Sequence, residues 1–161
     1  MEHVPGKDST ETENINVNVV EKAFAYITNG NRLLVFEHAD FPEAGLQVPA
    51  GTILPEELPE IAVVREAREE TGLDAFAQVV FLGISEFDAR PFGKVEVHRR
   101  HFFHLPVQGT FPERWRHYER DASDGSGEPI AFDFYWLPLS DVSGRLIADH
   151  GSLLARLAAE C

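Results

Sequence analysis

The stretch from Gly51 to Leu73, GTILPEELPEIAVVREAREETGL, constrains this chain more than any other. Pro59 suits the first turn of a helix, where its missing N–H has no intrahelical partner and its φ is already helical. Glu60 adds negative charge where a helix N-terminus is partly positive, Ala62 has high propensity, and Gly72 tolerates the left-handed conformation that ends helices. A helix over Pro59–Thr71 is therefore expected, with Ile61, Val64, Ala67 and Arg68 supplying part of its buried flank. At about 100° per residue, Glu66, Glu69 and Glu70 fall within an arc of roughly 100°. Three carboxylates point the same way.

Such a face is unfavourable alone, since like charges three or four residues apart cost about 0.2 to 0.5 kcal/mol per pair even when exposed. A hard cation reverses the sign. Mg²⁺ or Mn²⁺ prefers oxygen ligands, keeps several waters, and is commonly shared between one or two carboxylates and substrate phosphates. The plainer reading is a solvated acidic face with Arg65 paired to Glu69 at the i, i+4 spacing. Against it stand the fixed offsets of the flanking residues: Gly51, then Glu57, then Arg65-Glu66-Ala67-x-Glu69-Glu70-x-Gly72-Leu73.

With those positions filled, the stretch resembles the Nudix box. The resemblance implies an α/β fold, an α/β/α sandwich with a mixed sheet, in which loop, helix and second loop form the catalytic element. It also implies Mg²⁺- or Mn²⁺-dependent hydrolysis of a nucleoside diphosphate linked to another group. Carried over by position, Glu66, Glu69 and Glu70 bind metal, and Glu66 or a residue outside the box assists as general base. Glu57 and Arg65 pair and hold the loop to the helix, although the family's first glutamate sometimes reaches a metal. Gly51 allows close backbone approach, and Gly72 ends the helix. The chain departs from the family at Leu58, which leaves the helix without the usual N-cap hydroxyl, at the small Ala67, and at Ala50, where a second glycine is frequent.

A chain of 161 residues with 43% hydrophobic content suits one core, so a single domain over 17–161 is expected behind a polar, disordered tail over 1–16. The formal charge of −13 disfavours nucleic-acid backbone binding. A small phosphorylated nucleotide would be drawn in by bound metal and a few local bases. The only cysteine, Cys161, permits no intrachain disulfide, and no signal-like or membrane-length apolar run occurs. A cytoplasmic protein, without membrane or nucleic-acid partners, is expected. Family likeness also raises a homodimer. The seven histidines show no zinc-ligand spacing.

Strands are expected over Val17–Thr28, Arg32–His38, Leu46–Ala50, Ala75–Phe87, Lys94–Pro106 and Ile130–Leu137, with a turn at Asn29–Asn31. Gly109–Pro129 shows no periodicity, and Arg145–Glu160 reads as an amphipathic helix with Leu146, Ile147, Leu153, Leu154 and Leu157 on its apolar side. Outside the box, Glu119, Asp121, Asp124 and Glu128 are all eligible as the additional acid that many relatives use. On the strand, His98 and Arg100 face one way and Arg99 and His101 the other, and one pair can meet phosphate. Trp115 and Tyr118 can stack on a base or pack their loop against the domain. Phe132, Phe134 and Trp136 alternate as core residues.

The box does not name the substrate. Pro91 lies beyond the position that marks ADP-ribose hydrolases in the family, and no tyrosine there suggests dinucleoside polyphosphates. A nucleoside di- or triphosphate or a nucleotide sugar is the expectation. The alternative is a non-catalytic nucleotide-binding sensor of the same fold. An isoprenyl diphosphate isomerase would need an internal cysteine.

Overall fold

The computed structural model describes residues 17–119 and 128–157. The expected tail over 1–16, the eligible acids Asp121 and Asp124, and the end of the expected C-terminal helix lie outside these residues. Strands β1 (Asn18–Asn29) and β2 (Arg32–His38) form the expected hairpin, closed through Gly30 at a φ of 63°. Then follow β3 (Ala50–Thr52), helix α1 (Pro59–Thr71), β4 (Val80–Asp88), β5 (Glu96–Pro106), β6 (Arg114–Glu119) and β7 (Ile130–Pro138). They form a 7-stranded sheet in the order β4-β5-β1-β2-β7-β6, with β3 paired to β1 off that path. β1 and β5 run parallel while the other strand pairs are antiparallel. The mixed sheet with its helix is the expected α/β architecture.

Side-chain alternation along β1 divides the interior in two. Ala23, Ala25 and Ile27 face α1 and pack with its Ala62, Val63 and Ala67. Phe24 and Tyr26 face the opposite way, against Phe102, Val142 and Leu157. Phe132, Phe134 and Trp136 are buried in the α1-side core, as their alternation suggests. Among the described residues no helix is long and apolar enough to cross a membrane.

The helix boundaries agree with the sequence, and of the expected flank Ala67 is buried and Val64 packs against the core, but Ile61 and Arg68 are not buried. Ala62, Val63, Ala67, Glu70 and Thr71 are buried, whereas Ile61 is 57% exposed and the Arg68 side chain pairs with Asp74 at the surface. Alanines on both surfaces explain the rotation: they let α1 lie close on β1, and larger Ile61 is left outside. Leu58 caps without a side-chain hydrogen bond, as its identity implies, and Gly72 at φ 79° donates to Arg68 O at 2.9 Å.

Four other expectations are corrected. The expected Leu46–Ala50 strand is displaced to Ala50–Thr52, because Pro49 has no N–H for a ladder; Leu46 and Gln47 make only isolated bridges, to Leu146 and Phe36. The Ala75–Phe87 strand begins only at Val80. The segment without apparent periodicity contains β6, whose rows alternate exposed Arg114, Arg116 and Tyr118 with half-buried Trp115, His117 and Glu119. Over its described part, 145–157, the expected Arg145–Glu160 helix is replaced by a run of turns ending in a short 3-10 segment, Leu154–Leu157. Ala148 and Asp149 take φ values of 51° and 60°, which no α-helix admits. Side chains from the sheet satisfy the backbone there instead. Arg100 donates to Ala148 O at 2.6 Å, and the Tyr26 hydroxyl donates to His150 O at 2.6 Å while accepting from Leu153 N at 3.2 Å.

Candidate active site

The end of α1 brings its carboxylates against two strands. Glu66, Glu70 and Glu119 each offer one oxygen, and these atoms all lie within 4.8 Å of one another. Glu66 and Glu70 come from successive turns of α1, and Glu119 from the inward row of β6. That row is held by the helix end itself. The Trp115 indole donates to Thr71 O at 2.8 Å, and His117 Nε2 donates to Glu69 O at 3.0 Å, so β6 satisfies carbonyls that the helix leaves open. Of the four eligible acids, Glu119 and Glu128 lie among the described residues, and Glu119 is the one placed in the cluster.

Glu70 is 7% exposed and accepts from Ala50 N at 3.2 Å. Burial first, then the charges of Glu119 and Glu66, push its carboxyl well above the usual carboxylate range. Glu66 is also raised, by burial, despite the Arg65 guanidinium beside it. Glu66 and Glu70, both raised by burial and crowding, form with Glu119 a site that fits a divalent cation. Glu69 is not in this trio. Its half-exposed side chain turns to Arg65 Nη1 at 3.3 Å, on the neighbouring part of the same helix face.

Arg65 joins the loop to the helix. Nε and Nη2 donate to the two Glu57 oxygens at 2.8 and 2.9 Å, Nη2 also reaches Thr52 O at 3.1 Å, and Nη1 reaches Glu66 at 2.9 Å. The guanidinium and the Leu54 amide together hold Glu57 below its ordinary value. Glu57 is engaged with Arg65 rather than with the carboxylate trio, in line with the pairing that the box implies.

Gly51 faces Glu66 across β3, and a Cβ there would overlap the Glu66 carboxyl group. The glycine thus leaves room for an acid, where its backbone conformation requires nothing unusual. Gly51→Ala is expected to push that carboxylate aside and lower kcat/KM by about 10- to 100-fold with little change in thermal midpoint. Activity and melting measurements on the variant check this. At Gly72 the constraint is double, a left-handed φ and a Cβ position 2.8 Å from His117 Nδ1.

From Glu70 and Gly51 a cleft of about 170 Å³ runs between β1, the approach to β3, and the turn at His150. Lys22, His98 and Arg100 line it with Phe24 and Phe36. Lys22 donates to Thr52 Oγ1 at 3.0 Å, and burial lowers its ammonium from the ordinary value. His98 is paired with Glu96 at 2.9 Å. Arg99 and His101 emerge on the other face, where both approach Glu21. Trp115 stacks on Phe134 with centroids 5.4 Å apart, so it is engaged in packing, and Tyr118 lies on the exposed row of β6. A larger groove of about 820 Å³ lies between the outer flank of α1 and β4–β5, but none of the three clustered carboxylates lines it.

Lys22 and His150 were not singled out from sequence. Lys22 had a signal, a lysine in the same inward row as Phe24 and Tyr26. His150 had none, because it fell within an expected helix.

The NUDIX domain family model matches residues 20–157. Among solved structures, a MutT NUDIX hydrolase from Burkholderia pseudomallei aligns with a TM-score of 0.59 at 21% identity, over 87% of this chain and 98% of that one. The NUDIX domain of Shewanella oneidensis NrtR, in complex with ADP ribose, aligns at 0.65 and 16% identity, over 98% and 99%. An Ap4A hydrolase from C. elegans aligns at 0.58 and 19% identity, over 88% and 98%. No curated protein matches the sequence significantly. The fold and the acidic box helix are those of a Nudix domain. The chain belongs to the NUDIX family.

Proposed function

We propose that the protein hydrolyses a diphosphate linkage in a nucleoside di- or triphosphate or a nucleotide sugar, with water attacking phosphorus in line. The observation that carries this reading is the convergence of Glu66, Glu70 and Glu119 at the end of the box helix. An all-carboxylate donor set suits Mg²⁺ or Mn²⁺, which take oxygen ligands and share their coordination with substrate phosphates. In this reading Glu70 and Glu119 hold the cation, and Glu66 completes the set. Glu69 extends the acidic face toward a second cation.

When bound, the cation supplies charge neutralisation for the diphosphate and Lewis acidity toward the attacking water. Glu66 serves as proton acceptor, since burial raises its carboxyl above the ordinary value and Arg65 fixes its position. Lys22, at the start of the cleft, meets a phosphoryl oxygen and balances charge that builds during displacement. Most of the catalysis is positioning and electrostatics.

Product formation is measured over nucleoside triphosphates, ADP-ribose, nucleotide sugars and diadenosine polyphosphates with excess Mg²⁺ or Mn²⁺. Turnover of at least one, abolished by EDTA, is expected. Glu119→Gln should lower its kcat/KM by about 10- to 100-fold, a loss that Glu128→Gln should not reproduce. Tight nucleotide binding with no turnover on any substrate identifies a non-catalytic sensor instead.

A further inference from the structure

The far end of the 170 Å³ cleft carries two polar groups that the proposed hydrolysis leaves unused. His150 is 8% exposed, and its Nδ1 accepts from Val48 N–H at 3.2 Å. A backbone N–H can only donate, so in the neutral ring the proton resides on Nε2. Burial, with Arg100 nearby, draws the imidazole down to about 3, which keeps that neutral tautomer at ordinary pH. The ring lines the cleft as a donor.

Arg100 is 3% exposed, its guanidinium 4.6 Å from the Phe24 centroid and 4.0 Å from that of Phe87. Nη1 is used on Ala148 O, whereas Nε is buried without a hydrogen-bond partner. That Nε is itself closed to solvent, so what Arg100 brings to the cleft is the positive charge of its guanidinium among the lining residues. The turn that carries these contacts is strained at Ala148 and Asp149, an expense that folds retain mainly where a site depends on it.

Beyond Glu70 the cleft therefore ends in a donor and a positive charge. The Gln47 amide can turn either way and sets no preference. The neighbouring walls are Phe24, Phe36 and Val48. A whole drug-sized ligand needs roughly 300 to 1,000 Å³, so this space suits a single ring or group. A second phosphate fits poorly, because the buried Glu70 carboxylate opens onto the same cleft.

Resting on the reading of the chain as a nucleotide hydrolase, we infer that the cleft receives the oxo-bearing edge of a nucleobase, with His150 Nε2 as donor and the Arg100 charge beside it. A 6-oxopurine or 4-oxopyrimidine presents a carbonyl oxygen to them. A 6-aminopurine or 4-aminopyrimidine presents N–H groups and leaves the His150 donor facing donors. Recognition by buried hydrogen-bonding groups discriminates far more strongly than apolar shape does.

Turnover of GTP, ATP, UTP and CTP with excess Mg²⁺ is compared in kcat/KM, and GMP and AMP binding is measured by calorimetry without metal. The expected ratio is about 100-fold for GTP over ATP, with UTP favoured over CTP in the same sense. His150→Asn keeps an acceptor for Val48 N–H but places nothing at the Nε2 position, and should bring the ratio to within about threefold. His150→Gln loses the Val48 contact yet carries a donor near the Nε2 position, and should restore the preference. Turnover without base preference, or a preference that survives in His150→Asn, overturns the inference while the hydrolase reading stands. GMP binding preferred over AMP in a protein that turns over nothing supports the inference and removes the hydrolase reading. Displacement of GMP by inorganic pyrophosphate, with the two competing equally in His150→Asn, makes the cleft an anion site and overturns it.

Discussion

Glu70→Gln is expected to make the metal-free protein more stable and nearly inactive. The amide oxygen can still accept from Ala50 N, and the substitution removes a buried charge crowded by Glu66 and Glu119. Relief of such a charge is worth about 1 to 3 kcal/mol, or roughly 2 to 10 °C in melting midpoint for a chain of this size. Loss of a cation ligand removes several kcal/mol of transition-state stabilisation, so kcat/KM should fall on the order of 100-fold or more. Excess Mg²⁺ should raise the wild-type midpoint, since a ligand that binds only the folded state stabilises it, and should raise the variant's much less. Near-normal turnover in the variant, with an undiminished Mg²⁺ shift, would remove Glu70 from the cation site.

The same pair of proteins separates the pH dependence. Unfolded, the Glu70 carboxyl titrates near its ordinary value of 4.5; folded, it titrates higher. Between the two values the folded chain keeps a proton that the unfolded chain has lost, so stability falls as pH rises through that window. In EDTA, wild type and Glu70→Gln should therefore melt together at or below about pH 4.5 and diverge upward of it, the wild type becoming the weaker. Melting curves across pH test the direction.

The bounds of the box helix were legible in the sequence because its ends depend on local chemistry, Pro59 at the start and Gly72 past the finish. Which side of that helix is buried depends on Ala23 and Ala25 of a strand far away in sequence, so Ala67 and Val64 were legible while Ile61 and Arg68 were not. Gly51, Glu57, Arg65 and Glu66 were legible as a group, since the box encodes their mutual contacts within one short stretch. Glu119 was one of four candidates. Its selection depends on β6 pairing with β7, although Trp-x-His-x-Glu is a period-two row that marks the strand once noticed. The C-terminal leucines fit a helical wheel, yet Arg100 and Tyr26 compete for the backbone of Ala148, His150 and Leu153 and prevail. A pattern of apolar spacing contains no information about a hydroxyl and a guanidinium donated from the sheet.

Arg65→Lys should damage stability and activity together, in contrast to Glu70→Gln. The native guanidinium distributes its donors over Glu57, Thr52, Glu66 and Glu69, a fan that a single ammonium cannot reproduce. Losing the two-pronged bond to Glu57 is expected to cost about 1 to 3 kcal/mol. Releasing Glu66 should lower kcat/KM by about 10- to 100-fold. Glu57→Gln should share much of the stability loss but less of the activity loss, because Glu66 keeps its Arg65 contact. In a double-mutant cycle the stability terms of positions 57 and 65 should therefore couple by about 1 kcal/mol or more. The pH sign is opposite to that of Glu70. Glu57 titrates lower in the folded chain than its ordinary 4.5, so its contribution is present above that value and is lost as pH falls through the folded one. Acid should thus cost the wild type more stability than it costs Glu57→Gln, while alkali in EDTA costs it more than it costs Glu70→Gln. If Arg65→Lys melts and turns over like the wild type, the loop is held to the helix by packing alone.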